Sequence, residues 1–221
     1  MSRVDLVVFD LDGTLVDSAG DLAAAVNATL RHFSPATPPI PLERVRAFVG
    51  DGAAMLVART LAAAQVDVSK EAALPVFLEC YEARLLDTTV LYPGVRESLD
   101  ALGERTLAVL TNKPGAMSRR ILEGLGVAGR FARICGAGDV PAKKPDPAGL
   151  QMLLGDAGIP PAAAVLVGDS GIDVRTGRAA GVRTVGVTYG FDPASLQVSP
   201  PDVLIGDLRE LAPRLGPPFA A

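Results

Sequence analysis

The feature that most constrains this chain is a recurring unit: a short, almost unbroken apolar run, a polar tip, and a helical pattern that stops at glycine. The runs are Val4 to Phe9, Thr106 to Leu110, Ala132 to Cys135, Ala164 to Val167, Thr184 to Val187 and Val203 to Ile205. A strand with one wet face alternates apolar and polar residues. These runs do not alternate, so each is expected to be covered on both faces. Between them, Val95 to Leu102, Ala116 to Leu125, Pro147 to Ala157 and Ile172 to Ala180 carry apolar residues at spacings of three and four. Gly103, Gly126, Gly158 and Gly181 stand where a left-handed residue would end those helices. Strand–helix alternation of this kind predicts a parallel sheet with helices on both sides.

One stretch breaks the pattern. From about Ala19 to Leu91 the periodicity is helical, with no convincing strand. Asp21 to Phe33 reads as one helix, followed by a loop holding Pro35, Pro38, Pro39 and Pro41. Glu43 to Ala64 reads as helical with a break at Gly50-Asp51-Gly52. Ser69 to Leu86 continues despite Pro75, and Tyr92-Pro93-Gly94 closes the stretch. The fold class expected is α/β, a Rossmann-like doubly wound parallel sheet core with an inserted all-helical cap domain. The core would comprise residues 1–18 and 92–221, and the cap residues 19–91. A chain of 221 residues is long enough for one core with a smaller insertion. The tail, with Pro213, Pro217 and Pro218, is expected to fray.

Composition narrows the functional classes. A net charge of -4, without a basic tract or interleaved aromatics, argues against nucleic acid as a partner. No segment approaches the length needed to cross a bilayer, and the start of the chain lacks the features of a secretory leader. Cys80 and Cys135 form no CxxC pair, which fits two reduced thiols in a cytoplasmic protein. Lysine occurs only at positions 70, 113, 143 and 144, every other basic side chain except His32 being arginine. Such sparing use points to Lys113, Lys143 and Lys144 as places where a compact ammonium is wanted.

In open α/β sheets, reactive groups gather beyond the carboxyl ends of the strands. Four polar clusters lie there. Asp10-Leu11-Asp12-Gly13-Thr14 follows the first run, with two carboxylates projecting to one side and Gly13 permitting a tight turn whose amides can meet an anion. Thr111-Asn112-Lys113 follows the second, and reads either as phosphate donors or as the cap of the next helix. Lys143-Lys144-Pro145-Asp146-Pro147 is either a solvated surface pair or a lysine aimed at phosphate. Gly168-Asp169-Ser170-Gly171-Ile172-Asp173 sets one carboxylate at a strand tip and a second in the first helical turn, where helix charge preference alone would favour it. Taken together, in this order, the clusters supply what Mg²⁺-assisted phosphoryl transfer requires: oxygen ligands, a hydroxyl donor and a lysine.

With these strings the chain resembles the haloacid dehalogenase superfamily, specifically its phosphatases with a helical cap after the first strand. FDLDGTLVDS, FVGDGA, YPGV, TNKP, KKPDP, VGDSGIDV, RAAGV and VGVTYG look most like the bacterial phosphoglycolate phosphatases. The resemblance implies a phosphoric monoester hydrolase acting on a small phosphorylated metabolite such as 2-phosphoglycolate. Asp10 would be the nucleophile, forming an aspartyl-phosphate, and Asp12 the acid and then the base. Asp10, Asp12 through its carbonyl, Asp169 and, on the same side, Asp173 would serve the Mg²⁺. Thr111, Asn112 and Lys144 would hold phosphoryl oxygens; Lys144 is preferred to Lys143 because it directly precedes Pro-Asp-Pro. The insert would act as a lid, with Gly50-Asp51-Gly52 facing the site or merely breaking a helix, and Ser18 and Tyr92 as hinges. Arg44, Arg46, Arg59 and Arg84 are available for substrate contacts, and Ala-rich cap faces offer surfaces for a homodimer.

Other readings fail at particular residues. Gly168-Asp169-Ser170-Gly171-Ile172 lacks the last glycine of GxSxG, and His32 is the only histidine, so no Ser-His triad is available. No GxxxxGK[ST] occurs, and Pro141 occupies the third glycine position of a dinucleotide fingerprint begun by Gly136-Ala137-Gly138. Within the superfamily, Asp12 argues against dehalogenation. The lone insert lysine, Lys70, argues against a Schiff-base hydrolase. The remaining alternatives are a sugar phosphomutase, a phosphatase of another small metabolite, and a non-catalytic binding protein on the same fold.

Overall fold

The computed structural model describes residues 4–216. In chain order the strands are β1 (Leu6–Phe9), β2 (Val16–Asp17), β3 (Val90–Leu91), β4 (Thr106–Pro114), β5 (Arg133–Ala137), β6 (Ala164–Gly168), β7 (Arg183–Val187) and β8 (Val203–Ile205). The helices are α1 (Ala19–Phe33), α2 (Leu42–Arg46), α3 (Ala53–Ala64), α4 (Lys70–Glu82), α5 (Val95–Ala101), α6 (Gly115–Gly124), α7 (Ala148–Ala157), α8 (Gly171–Ala179), α9 (Ser195–Val198) and α10 (Leu211–Arg214). Six strands pair in parallel in the order β5-β4-β1-β6-β7-β8, giving the expected Rossmann-like parallel sheet.

The unbroken apolar runs follow from burial on both faces. Val7, Phe9, Val109, Val165 and Val167 pack into one core, while Leu6, Val8, Ala108, Leu110 and Leu166 pack into another beneath α7. Because side chains alternate between faces along a strand, neither set of positions tolerates a polar residue. Gly103, Gly126, Gly158 and Gly181 all adopt positive φ after their helices, as the sequence predicts.

β1 is the middle of the sheet, and its register fixes the site. Phe9 lies opposite Val109 of β4 and Val167 of β6. The next residues, Asp10, Leu110–Thr111 and Gly168–Asp169, therefore emerge side by side. The chain runs outward from β1 to β4 and β5, then returns to β6 on the other side. That reversal opens the crevice in which such sheets bind ligands.

Helices α1 to α4 occupy residues 19–82 and pack on one another, α1 and α3 both against α4. One expectation about this stretch is corrected: it does contain a strand. Val90–Leu91 pairs antiparallel with Val16–Asp17, tying together the two chain crossings. A two-residue strand is too short to leave a periodic signal. Asp21 reinforces the junction. Its buried carboxylate accepts from the backbone N–H and the hydroxyl of both Thr88 and Thr89, at 2.6 to 2.9 Å.

At the other end of the chain, Pro213 lies within α10, anchored by buried Leu211 and Leu215, so the chain is ordered there rather than frayed. Pro217 and Pro218 lie outside the described residues.

Candidate active site

Three carboxylates meet at the strand ends. Asp10 after β1, Asp169 after β6 and Asp173 in the first turn of α8 each bring an oxygen within 4.8 Å of the others. Lys144 is threaded into the group, its Nζ 2.9 Å from Asp10 Oδ1 and 2.6 Å from Asp173 Oδ1. Asp173 belongs to a capping box with Ser170, whose N–H and hydroxyl both donate to Asp173 Oδ2. This is the helix-start preference weighed in the sequence reading, and it also aims the other Asp173 oxygen at Lys144. Asp169 Oδ2 accepts from the Phe191 N–H at 2.6 Å and, more weakly, from that of Asp192.

Close approach of backbone to these carboxylates explains two glycines. A Cβ on Gly13, whose φ is +82°, would lie 2.2 Å from Asp169 Oδ2. A Cβ on Gly168 would lie 2.1 Å from the Asp173 carboxyl carbon. Neither position has room for a side chain.

Crowding of buried like charges shows in the protonation equilibria. Burial lifts the Asp10 carboxyl from 3.8 to about 6; Lys144 pulls it down and the Asp173 charge pushes it up. Burial, then the charges of Asp173 and Asp10, hold Asp169 well above 3.8. For Lys144, burial opposes the ammonium, yet the two aspartates outweigh it and raise its pKa.

Asp10 Oδ1 is also buried and, despite its contact with Lys144, completes no directed hydrogen bond. An all-oxygen, mutually repelling donor set with one oxygen left over suits a hard divalent cation, and the residues present therefore fit Mg²⁺.

Asp12 is differently placed. It meets Lys113, whose Nζ lies 2.9 and 2.8 Å from its two oxygens, and it accepts from the Ser18 hydroxyl at 2.5 Å. Lys113 is buried and also sits over the Tyr81 ring, 4.6 Å from its centroid. Burial works against this ammonium, but Asp12 and Tyr81 raise its pKa on balance. Lysine scarcity alone points to Lys113 in the sequence; its contact with Asp12 gives it a place in the site. Ser18, at the expected hinge, touches Asp12 directly.

The second cluster shows a physical surprise. Thr111, Asn112 and Lys113 do not cap α6. β4 runs on through them to Pro114, with a register shift between Leu110 and Pro114, and Pro114 is itself the N-cap of α6. A residue before proline is biased to extended backbone, which keeps Lys113 in the strand. Thr111 lines the cleft. The Asn112 side chain, however, is committed elsewhere: it donates to the Lys144 and Gly50 carbonyls and accepts from the Lys144 N–H, each at 2.9 Å. It clamps the lysine loop and the Gly50 loop together, so only its main chain remains for phosphate.

The cleft above these groups is walled by Val49, Gly50, Gly52, Ala53 and Leu56 on one side and by Leu22, Phe77, Leu78 and Tyr81 on another. Gly50-Asp51-Gly52 therefore faces the site as well as breaking the helix. Asp51 itself turns to Arg59. Arg46 pairs with Asp17 at 2.8 Å and stacks over Phe191, Arg44 lies over Phe48, and Arg84 bonds the Cys80 carbonyl, so none of these four arginines lines the cleft. His32 is exposed. Tyr92 packs against Tyr189, whose hydroxyl donates to the Thr14 carbonyl.

A parallel sheet with an acidic, lysine-threaded pocket at its carboxyl edge defines a class of hydrolase, and comparison with known proteins agrees. The family model described as haloacid dehalogenase-like hydrolase matches residues 7–187, and the chain belongs to that family as an enzyme of the phosphatase type. It is 42% identical over 221 residues to a phosphoglycolate phosphatase of Pseudomonas putida, covering 96% of this chain and 80% of that protein. It is 43% identical over 216 residues to one from Pseudomonas fluorescens, covering 94% and 78%. Among solved structures, a predicted phosphoglycolate phosphatase from Haemophilus somnus superposes with a TM-score of 0.90 at 32% identity, covering 98% of this chain and all of the other. Among the described residues, no helix is long and apolar enough to cross a membrane.

Proposed function

We propose that this enzyme is a Mg²⁺-dependent phosphatase that hydrolyses a small phosphomonoester, 2-phosphoglycolate, through a phosphoryl group carried on Asp10. The observation that carries the reading is the junction of Asp10, Asp169, Asp173 and Lys144 at the end of the central strands. The names of the Pseudomonas relatives support the substrate.

In the first step an Asp10 carboxylate oxygen attacks phosphorus, the P–O bond to the leaving group breaks, and Asp12 gives its proton to the departing alkoxide. In the second step Asp12 takes a proton from water, the water oxygen attacks phosphorus, and Asp10 leaves as carboxylate with inorganic phosphate as product. Lys144 balances charge on the phosphoryl oxygens, and Thr111 and the main chain at Asn112 donate to them. Asp10, the Asp12 carbonyl and Asp169 would hold Mg²⁺, with Asp173 steadying that side; bound there, the ion offsets the repulsion between carboxylate and phosphate. Residues 19–91 serve as a cap over a core of 1–18 and 92–221. The cap excludes water while the first bond forms.

Phosphate release from a panel of small phosphoesters, in Mg²⁺ and in EDTA, tests the reading. Turnover that needs Mg²⁺, favours 2-phosphoglycolate and disappears in Asp10→Asn is expected. Turnover that survives EDTA or the substitution would sink it.

A further inference from the structure

We propose that Lys113 and Tyr81 form a receptor for a carboxylate on the substrate, so that the enzyme selects phosphoesters bearing a carboxylate two bonds from the bridging oxygen. The inference rests on the phosphatase reading above and deepens it.

Among the described residues, Lys113 is the only cationic side chain that lines the cleft. An ammonium has three protons. Asp12 takes two of them, through its two oxygens. The third is turned toward the Tyr81 hydroxyl, in a wall otherwise built from Leu22, Leu56, Phe77 and Leu78. In such surroundings an anion bonded to the ammonium is held far more strongly than in water.

Tyr81 supplies the sign of a missing ligand. It is 1% exposed and lines the cleft, and its hydroxyl, facing the Lys113 ammonium, donates to no acceptor among the described residues. Buried hydroxyls rarely stay unpaired, and one facing a ligand cleft is met by the ligand. Burial raises the phenol to about 12, so it keeps its proton and acts as a donor. The pair thus offers the phenol proton, with the Lys113 charge behind it, at one corner of the cleft.

Position gives the substrate class. Asp12 serves the bridging oxygen, and Lys113 touches Asp12, so the carboxylate must lie close to that oxygen. A single methylene between the oxygen and the carboxylate meets this requirement. Since Tyr81 comes from α4 and Lys113 from β4, the carboxylate is read at the seam between helical unit and sheet.

The test compares 2-phosphoglycolate with ethyl phosphate, which has a methyl in place of the carboxylate, in the wild type, Tyr81→Phe and Lys113→Met, all with Mg²⁺. In the wild type, kcat/KM should favour 2-phosphoglycolate strongly. Tyr81→Phe, which keeps the ring, should cost roughly tenfold on 2-phosphoglycolate and little on ethyl phosphate. Lys113→Met will slow both substrates by disturbing Asp12, but the preference should shrink by about a hundredfold. If both variants lose rate while keeping the wild-type preference, Lys113 serves Asp12 alone and the inference is overturned. If the wild type itself shows no preference for 2-phosphoglycolate, the substrate reading falls and the receptor with it.

Discussion

Removing the charge of Asp10 should destroy activity and yet stabilise the metal-free protein. Burial and the nearby Asp173 charge raise the Asp10 carboxyl from 3.8 to about 6, against the pull of Lys144. The folded state therefore holds this proton more tightly than the unfolded chain does. Below about pH 4 both states are protonated and the effect vanishes. As pH rises from about 4 to about 6, metal-free stability falls, and above that it stays low by about 3 kcal/mol. Asp10→Asn keeps the shape and abolishes the charge. In EDTA at about pH 8 it should melt several degrees above the wild type, since about 1 kcal/mol moves Tm by roughly 2–4 °C in a chain of this size. At about pH 4 the two should melt together. With Mg²⁺ the wild type should gain more, because it alone offers the full carboxylate set. Thermal melts over pH, in EDTA and in Mg²⁺, read all of this. If Asp10→Asn melts at or below the wild type in EDTA at about pH 8, the carboxylates do not repel in the way argued.

Other expectations are simpler. Gly13→Ala must place a Cβ 2.2 Å from Asp169 Oδ2 at a positive φ; phosphate release should collapse, and melting should show a loss of roughly 2 kcal/mol or more. Asn112→Ala removes three hydrogen bonds that join the Gly50 and Lys144 loops; stability should drop by about 2 kcal/mol, and hydrogen exchange should rise at residues 49–52. Asp21→Ala leaves four donors from Thr88 and Thr89 without their acceptor. A loss on the order of 3 kcal/mol with kcat unchanged at low temperature is expected; a large fall in kcat would show that the junction does more than hold the fold.

The sheet and its strand-tip carboxylates were legible because their causes are local. An apolar run such as Val165 to Val167 followed by Gly168-Asp169 carries its own reason to be a strand with a reactive tip. Asp10, Asp169 and Asp173 could be nominated for that reason, although only the parallel register brings them together. Lys113 could be noticed but not placed: its partner Asp12 is 101 residues away, and Tyr81 lies in the helical insert. The side chain of Asn112 has chemistry that suits phosphate, but its orientation is not written in the sequence: β4 turns it toward Lys144 and Gly50. The strand pair of Val16–Asp17 with Val90–Leu91 left no trace, since two residues cannot show a period.

The most direct test of the account is whether Asp10 carries phosphate during turnover. Enzyme mixed with 2-phosphoglycolate and Mg²⁺, quenched in acid within a turnover and analysed by peptide mass spectrometry, should show a phosphoryl group on Asp10. The signal should be absent in EDTA, and weak in Asp12→Asn, which lacks the acid for the first step. Turnover with no phosphoryl group at Asp10 in either protein, or a phosphoryl group on another residue, would contradict the mechanism.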